Sequence, residues 1–152
     1  MKKSAFSLIE LLVVVSVLGI LTALLLPNLV GMRLRARDAA KKQDLGQLKT
    51  ALRMYYNDFQ NYPASSGSGQ IMGCGSGTTA CPNSDGSFSA GSNMYMKTMP
   101  DTEGMSYAQQ AAGDSFLLSV ALENVSDPEA AQSANKCNVA NPQSSYYYVC
   151  AD

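Results

Sequence analysis

Hydrophobic positions along this chain follow three different periods, and each predicts a different element. From residue 6 to residue 26 the run is almost unbroken, and Glu10 is its only charge. Twenty-one residues at about 1.5 Å each make a helix of roughly 31 Å, enough to cross the hydrocarbon core of a bilayer. Further on, Leu45, Leu48, Leu52, Tyr55 and Phe59 recur at steps of three and four, which gives a helix one sticky face. Together these predict a helix from Phe6 to about Phe59, 54 residues or roughly 80 Å. It ends at Asn61-Tyr62-Pro63, because Pro63 disfavours the α conformation of Tyr62. Pro27 lies inside it and removes the bond its amide would give the carbonyl of Ala23, so a kink is expected there, with Gly19 and Gly31 adding freedom nearby.

The third period is two. Phe116, Leu118, Val120 and Leu122 alternate with small or polar residues, the pattern of a half-buried strand, with a helix as the alternative. Residues 145–150, rich in tyrosine, predict a second strand, and 94–97 a weaker third. Between them Ser126-Asp127-Pro128-Glu129 turns the chain and opens a short helix, with Pro128 at its first position. Residues 64–92 turn to Gly, Ser, Asn and Thr and read as a long loop. The expected fold is α+β: a long N-terminal helix whose apolar stripe packs on a small C-terminal antiparallel sheet.

Charge and composition narrow the chemistry. Lys and Arg number nine and Asp and Glu three through Asn57; afterwards they number two and nine, so a part at +6 precedes a remainder at −7. The acidic remainder makes a poor phosphate-binding surface, and no nucleic-acid binding by it is expected. The 152 residues contain no His and no Trp, which removes the commonest general base and the usual imidazole metal ligand. A Ser–Lys pair would have to use Lys97 or Lys136, neither in a recognised motif, so an enzyme is not expected. Cys74, Cys81, Cys137 and Cys150 read as a disulfide framework in an exported domain, and proximity favours Cys74–Cys81 and Cys137–Cys150 among the three possible pairings. Their spacing does not suit a zinc ribbon.

A carboxylate within an intramembrane helix costs about 2.5–3.5 kcal/mol at the bilayer centre and less near its edge, so Glu10 calls for compensation. A signal peptide does not fit: its apolar region is shorter, and no small-residue cleavage site follows this one. A plain membrane anchor explains the length but not the acid. The stretch Ala5-Phe6-Ser7-Leu8-Ile9-Glu10-Leu11-Leu12-Val13-Val14 resembles the prepilin leader and helix start of type IV pilins and type II secretion pseudopilins, with Ala5 where the family nearly always has Gly.

The resemblance implies that a membrane aspartyl prepilin peptidase cuts between Ala5 and Phe6 and methylates the new amino group of Phe6. It also implies that Glu10 pairs with the Phe6 amine of a neighbouring subunit, since two charges each costly in lipid become tolerable together. In the filaments of this family the stretch from Gly19 through Pro27 can unwind, so Pro27 is assigned to assembly. The expected organisation is a leader over 1–5, a membrane-spanning and filament-core helix over 6–30, its amphipathic continuation over 31–62, and a head with disulfide-tied loops over 63–152.

The basic residues Arg33, Arg35, Arg37, Lys41 and Lys42 behind the span would by themselves favour the inverted topology. The cysteines and the cytoplasmic leader argue instead for N-in, C-out in the inner membrane, with a periplasmic or extracellular filament after assembly. That basic collar and the acidic head are expected to complement each other between subunits.

The function expected is a structural subunit of a type IV pilus-like filament, with self-association, an inner-membrane assembly platform and membrane lipid as partners. A major pseudopilin of a secretion or competence system and a minor tip pilin acting as a binding module are the alternatives. The sequence around Met99-Pro100-Asp101 loosely resembles a major-pseudopilin loop but lacks its Asp-Pro-Trp-Gly core, and with it the calcium site common in that group. Asp101, Glu103, Asp127 and Glu129 remain weak oxygen-ligand candidates for calcium; solvated surface charge is the expected reading, and no cofactor is expected.

Overall fold

The structure, a computed structural model, describes residues 7–75, 77–101 and 104–151, and among these the side chains of 24–30 are not described. The chain divides into two compact units, Met1–Ala36 and Arg37–Asp152. One helix, α1 (Leu8–Phe59), contributes to both and runs through Gly19, Pro27 and Gly31 without interruption. Its start is local chemistry. The backbone N–H of Ser7 donates to Glu10 Oε2 at 3.1 Å, which is the return half of a Ser-x-x-Glu capping box. Its end follows from Gln60, which turns left-handed at φ 51° while its N–H still donates to the Tyr56 carbonyl, and from Pro63 beyond.

In the first unit the large apolar side chains of α1 from Leu8 to Leu21 are open, from Leu8 at 79% exposure to Val14 at 51%, while Leu34 near the end of the unit is partly covered. Among the described residues no helix is long and apolar enough to cross a membrane. Described side chains of the apolar run stop at Ala23, whereas a span takes about 20 residues. The expected span over 6–30 therefore lies partly outside the described residues.

In the second unit the stripe is used. Leu45, Leu48 and Leu52 are fully buried, and Ala51 and Tyr55 nearly so; Phe59, expected on the same stripe, is instead half exposed at the helix end and lies against the Tyr55 ring. The strands are β1 (Met72–Cys74), β2 (Thr79–Ala80), β3 (Phe88–Ala90), β4 (Asn93–Met96), β5 (Met105–Gln110), β6 (Ser115–Ala121) and β7 (Tyr146–Cys150), and α2 (Pro128–Lys136) stands between the last two. They form two hairpins, β1–β2 and β3–β4, and a three-stranded antiparallel sheet in the order β5-β6-β7. Along β6 burial alternates strictly, so Phe116, Leu118 and Val120 enter the core with Leu122 after them.

Two expectations need correction. The strand near 94–97 does not join the main sheet; it pairs with Phe88–Ala90, a strand inside the stretch expected to be loop, and Phe88 is fully buried. Its expected place is taken by β5, whose mostly polar Ser106, Gln109 and Gln110 give little strand signal, while Tyr107 is the residue that enters the core. The tight link from β5 to β6 runs through Ala111, Ala112 and Gly113, all at positive φ. A Cβ on Gly113 would lie 1.4 Å from Asn61 Oδ1, so the turn approaches the end of α1 where only glycine fits.

Both edges of the sheet are occupied. Tyr107 N–H donates to the Gly69 carbonyl at 2.8 Å along β5, and Tyr148 N–H donates to Ser133 Oγ of α2 at 3.0 Å along β7. Cys137, the C-cap of α2, is bonded to Cys150 at the end of β7, and Cys74 to Cys81. Closing a loop of the first kind is worth about 3 kcal/mol in the chain-entropy model. Covered edges leave little template for strand-to-strand association.

Candidate functional site

Two clusters bear on function, one in each unit. In the first unit Glu10 is the single acid, and the polar side chains near it are turned inward on the helix. Ser16 Oγ donates to the carbonyls of Leu12 and Val13 at 2.8 and 2.9 Å, and Thr22 Oγ1 to that of Leu18 at 2.7 Å. Hydroxyls satisfied by their own backbone leave the outside of this half-helix apolar, a surface that tolerates a dry environment. Glu10 is part of the same economy, since Oε2 accepts from Ser7 N–H while the rest of the carboxylate stays exposed among Ile9, Val13 and Val14. The cleavage residues Ala5 and Phe6 lie outside the described residues, as does the side chain of Pro27.

In the second unit α1 is latched to the segment between β6 and α2 by charge. Asp38 is 1% exposed, and its two oxygens accept from Glu123 N–H at 2.8 Å and Asn124 N–H at 2.9 Å. Around it Arg37 and Lys41 reach Glu123 at 3.3 and 3.6 Å, and Lys42 reaches Asp127 at 2.6 Å and Glu129 at 2.8 Å. Lys41 also donates to the carbonyl of Ala121.

Burial works to lower the Lys42 ammonium, but hydrogen bonds and charge from Asp127 and Glu129 outweigh it and raise its pKa. The hydrogen bond from Lys42 in turn holds the Asp127 carboxyl below its usual range against a smaller opposing effect of burial. Asp127 is also the N-cap of α2, accepting from Glu129 N–H at 2.9 Å, so one carboxylate starts a helix and pins it to α1.

This latch corrects the expectation for the basic collar. Arg37, Lys41 and Lys42 are spent on acids of their own chain, so only Arg33 and Arg35 of the five collar cations make no ion pair among the described residues. Asp127 and Glu129, weak calcium candidates in the sequence, are engaged by the Lys42 ammonium. Asp101 is exposed, Glu103 lies outside the described residues, and among the described residues no three acidic or cysteine groups gather as a metal site.

Asp38 is the buried charged side chain that pattern reading passes over, because it sits in a run of Arg and Lys and reads as solvated. A signal existed. Asp38, Leu45 and Leu52 stand seven apart, so the acid continues the buried stripe one heptad toward the N-terminus.

Residues 1–26 match the family model described as the prokaryotic N-terminal methylation motif. The chain is 39% identical over 64 residues to the type II secretion system core protein G of Aeromonas hydrophila, a stretch covering 42% of this chain and 45% of that protein. Against the protein of the same name from Escherichia coli (strain K12) identity is 36% over 64 residues, covering 42% and 44%. It is also 33% identical over 61 residues to the type IV major pilin protein PilA of Myxococcus xanthus (strain DK1622), covering 40% of this chain and 28% of that one. The similarity thus spans less than half the length of each of these relatives. No solved structure matches the chain.

Proposed function

We propose that this chain belongs to the family of type IV pilins and type II secretion pseudopilins and is a structural filament subunit, not an enzyme. The observation that carries the reading is the first half of α1: large apolar side chains left open, hydroxyls folded inward, and one carboxylate at the tip. Such a surface needs lipid or other helices of its kind around it. The precursor sits in the inner membrane N-in and C-out through 6–30; prepilin peptidase cuts between Ala5 and Phe6 and methylates Phe6. An assembly platform then moves the helix from lipid into a helical polymer. In that polymer Glu10 meets the Phe6 amine of a neighbour, and the stretch from Gly19 through Pro27 adjusts as the helix leaves the membrane.

Two forms of the filament have support. The disulfide-closed C-terminal loop resembles pilins, whereas similarity to the secretion-system core protein G favours a major pseudopilin. Deleting the gene separates them: loss of surface filaments identifies a pilus, and accumulation of normally secreted proteins in the periplasm identifies a pseudopilus. A scarce, terminal position along isolated filaments would instead identify a tip subunit.

The general reading is tested by intact mass and N-terminal sequencing of protein from membranes and sheared filaments, together with Glu10→Gln. A mature chain beginning at methylated Phe6 is expected. Glutamine keeps an acceptor for Ser7 N–H and so preserves the helix cap, but it removes the charge. Filament yield should fall while the subunit persists in the membrane. An intact Met1, or normal polymer growth with glutamine, overturns the assignment.

A further inference from the structure

At the end of α1 an open cleft of about 520 Å³ joins the helix to the β3–β4 hairpin. Its walls carry Met54, 49% exposed, and Met94, 62% exposed, two of the few large apolar side chains left open in the second unit. Between them stands Asp58, exposed but held: Oδ2 accepts from Asn93 Nδ2 at 2.9 Å and from Tyr95 Oη at 2.8 Å. Both bonds fall on one oxygen, so Oδ1 is left toward solvent, and Asp58 makes no ion pair among the described residues. A fixed carboxylate flanked by open methionines is built to take a cation that has apolar surface beside it.

The same chain carries such a group. Arg35 is exposed and lacks an ion pair among the described residues, in contrast to its neighbour Arg37. Met32, three residues before it and therefore on the same helical face, is 64% exposed. Met54 and Asp58, four apart, likewise share a face. The two surfaces correspond: methionine with methionine, guanidinium with carboxylate. No ion pair joins Arg35 to Asp58 within the chain among the described residues.

We infer that the Asp58 cleft, with Met54 and Met94, receives the Met32–Arg35 face of a second copy of this chain. Contact between two different surfaces of identical subunits can pass from copy to copy without the reciprocal pairing of a twofold dimer. Where the rotation between neighbours does not close a ring, such a contact propagates as an open helical polymer, the arrangement a filament requires. The methionines also exclude water from the ion pair on docking, and that strengthens a contact which would be weak in the open.

The inference rests on the filament reading and is tested alongside it, with full-length chain expressed in its host and filaments sheared and weighed against the membrane pool. Asp58→Arg and Arg35→Asp should each lower filament yield about tenfold or more, and the two together should restore it to within about twofold. Unchanged single variants, or a double variant as poor as either, overturn the contact. A second readout does not depend on yield: with Met32→Cys and Met94→Cys combined, mild oxidation of assembled filaments should give a ladder of cross-linked copies, and monomer alone overturns the contact. Wild-type filaments whose chains begin at Phe6 sustain the filament reading even where the charge exchange fails. A wild type that never polymerises overturns both.

Discussion

The two halves of α1 are built from the same kinds of residue and meet opposite fates. Leu11, Leu12 and Leu18 lie open to more than half of their surface, whereas Leu45, Leu48 and Leu52 have none exposed. In the second half the apolar side chains form a stripe that the same chain covers with Phe116, Leu118, Tyr107 and Phe88. In the first half they go all the way round, and nothing in the first unit covers them. A helix with one apolar face folds onto its own domain, while one apolar on every face must find its surroundings elsewhere. Polar groups divide the same way. The hydroxyls of the first half bond their own backbone, and the charges of the second half bond across to the head.

The contrast should show most strongly when one apolar side chain is truncated in each setting. Leu48→Ala should destabilise the second unit by about 2–5 kcal/mol, since it removes a fully buried side chain from a packed site. Val14→Ala should change unfolding by no more than about 0.5 kcal/mol and act on filament yield instead. Urea unfolding of detergent-solubilised full-length protein reads both, and equal effects would erase the distinction.

Next in size is the buried acid of the latch. Asp38→Ala leaves the N–H groups of Glu123 and Asn124 without acceptors and should cost about 1–3 kcal/mol by the same measurement. Asp38→Asn, which keeps one acceptor oxygen, should fall between. A smaller change of opposite sign is expected at the β5–β6 turn. Left-handed backbone costs an L-residue about 1–2 kcal/mol, partly offset by the roughly 0.5–1 kcal/mol of chain freedom that glycine loses on folding. Ala112→Gly, at φ 54°, should therefore raise the urea midpoint slightly.

The smallest effect is that of pH on the Lys42 pair. Asp127 titrates below its ordinary 3.8 in the folded chain, so its contribution is present above that value and fades as pH falls through the depressed one. Lys42 titrates above its ordinary 10.5, so its contribution is complete below that value and fades as pH rises through the raised one. Asp44, raised by burial and by the charge of Asp101, works against the acid limb. A stability plateau from about pH 4 to 10 should result, with limbs of about 1 kcal/mol or less, because the cost of partly burying the pair offsets much of its attraction. Lys42→Met should flatten the alkaline limb; an unchanged limb would show that the ion pair contributes nothing there.

Much of the fold was legible because it is written at short range. The stripe at Leu45, Leu48 and Leu52, the alternation from Phe116 to Leu122, the tyrosine strand and the Asp127-Pro128 helix start all depend on residues within a few positions of one another. What escaped was non-local. β5 is a strand because β6 pairs with it residue by residue from Met105 to Gln110, although its own side chains are largely polar. Phe88, alone in a Gly- and Ser-rich stretch, is core because Tyr55 and Tyr95 close around it. At the candidate site the acid at Glu10 stood out against its apolar run, while Asp38 was hidden among cations that were themselves already committed.

Read alone, the order of residues determined where helix and strand periods begin and end, and that an apolar helix carries a single acid near its start. It could do so because hydrophobic periodicity and capping are properties of adjacent turns. Only the tertiary structure decided which cations of the collar are spent within the chain, which strand stands beside β6, and which surfaces are left open. Those outcomes depend on pairings between residues up to more than eighty positions apart, as between Asp38 and Asn124, and no local pattern encodes the partner.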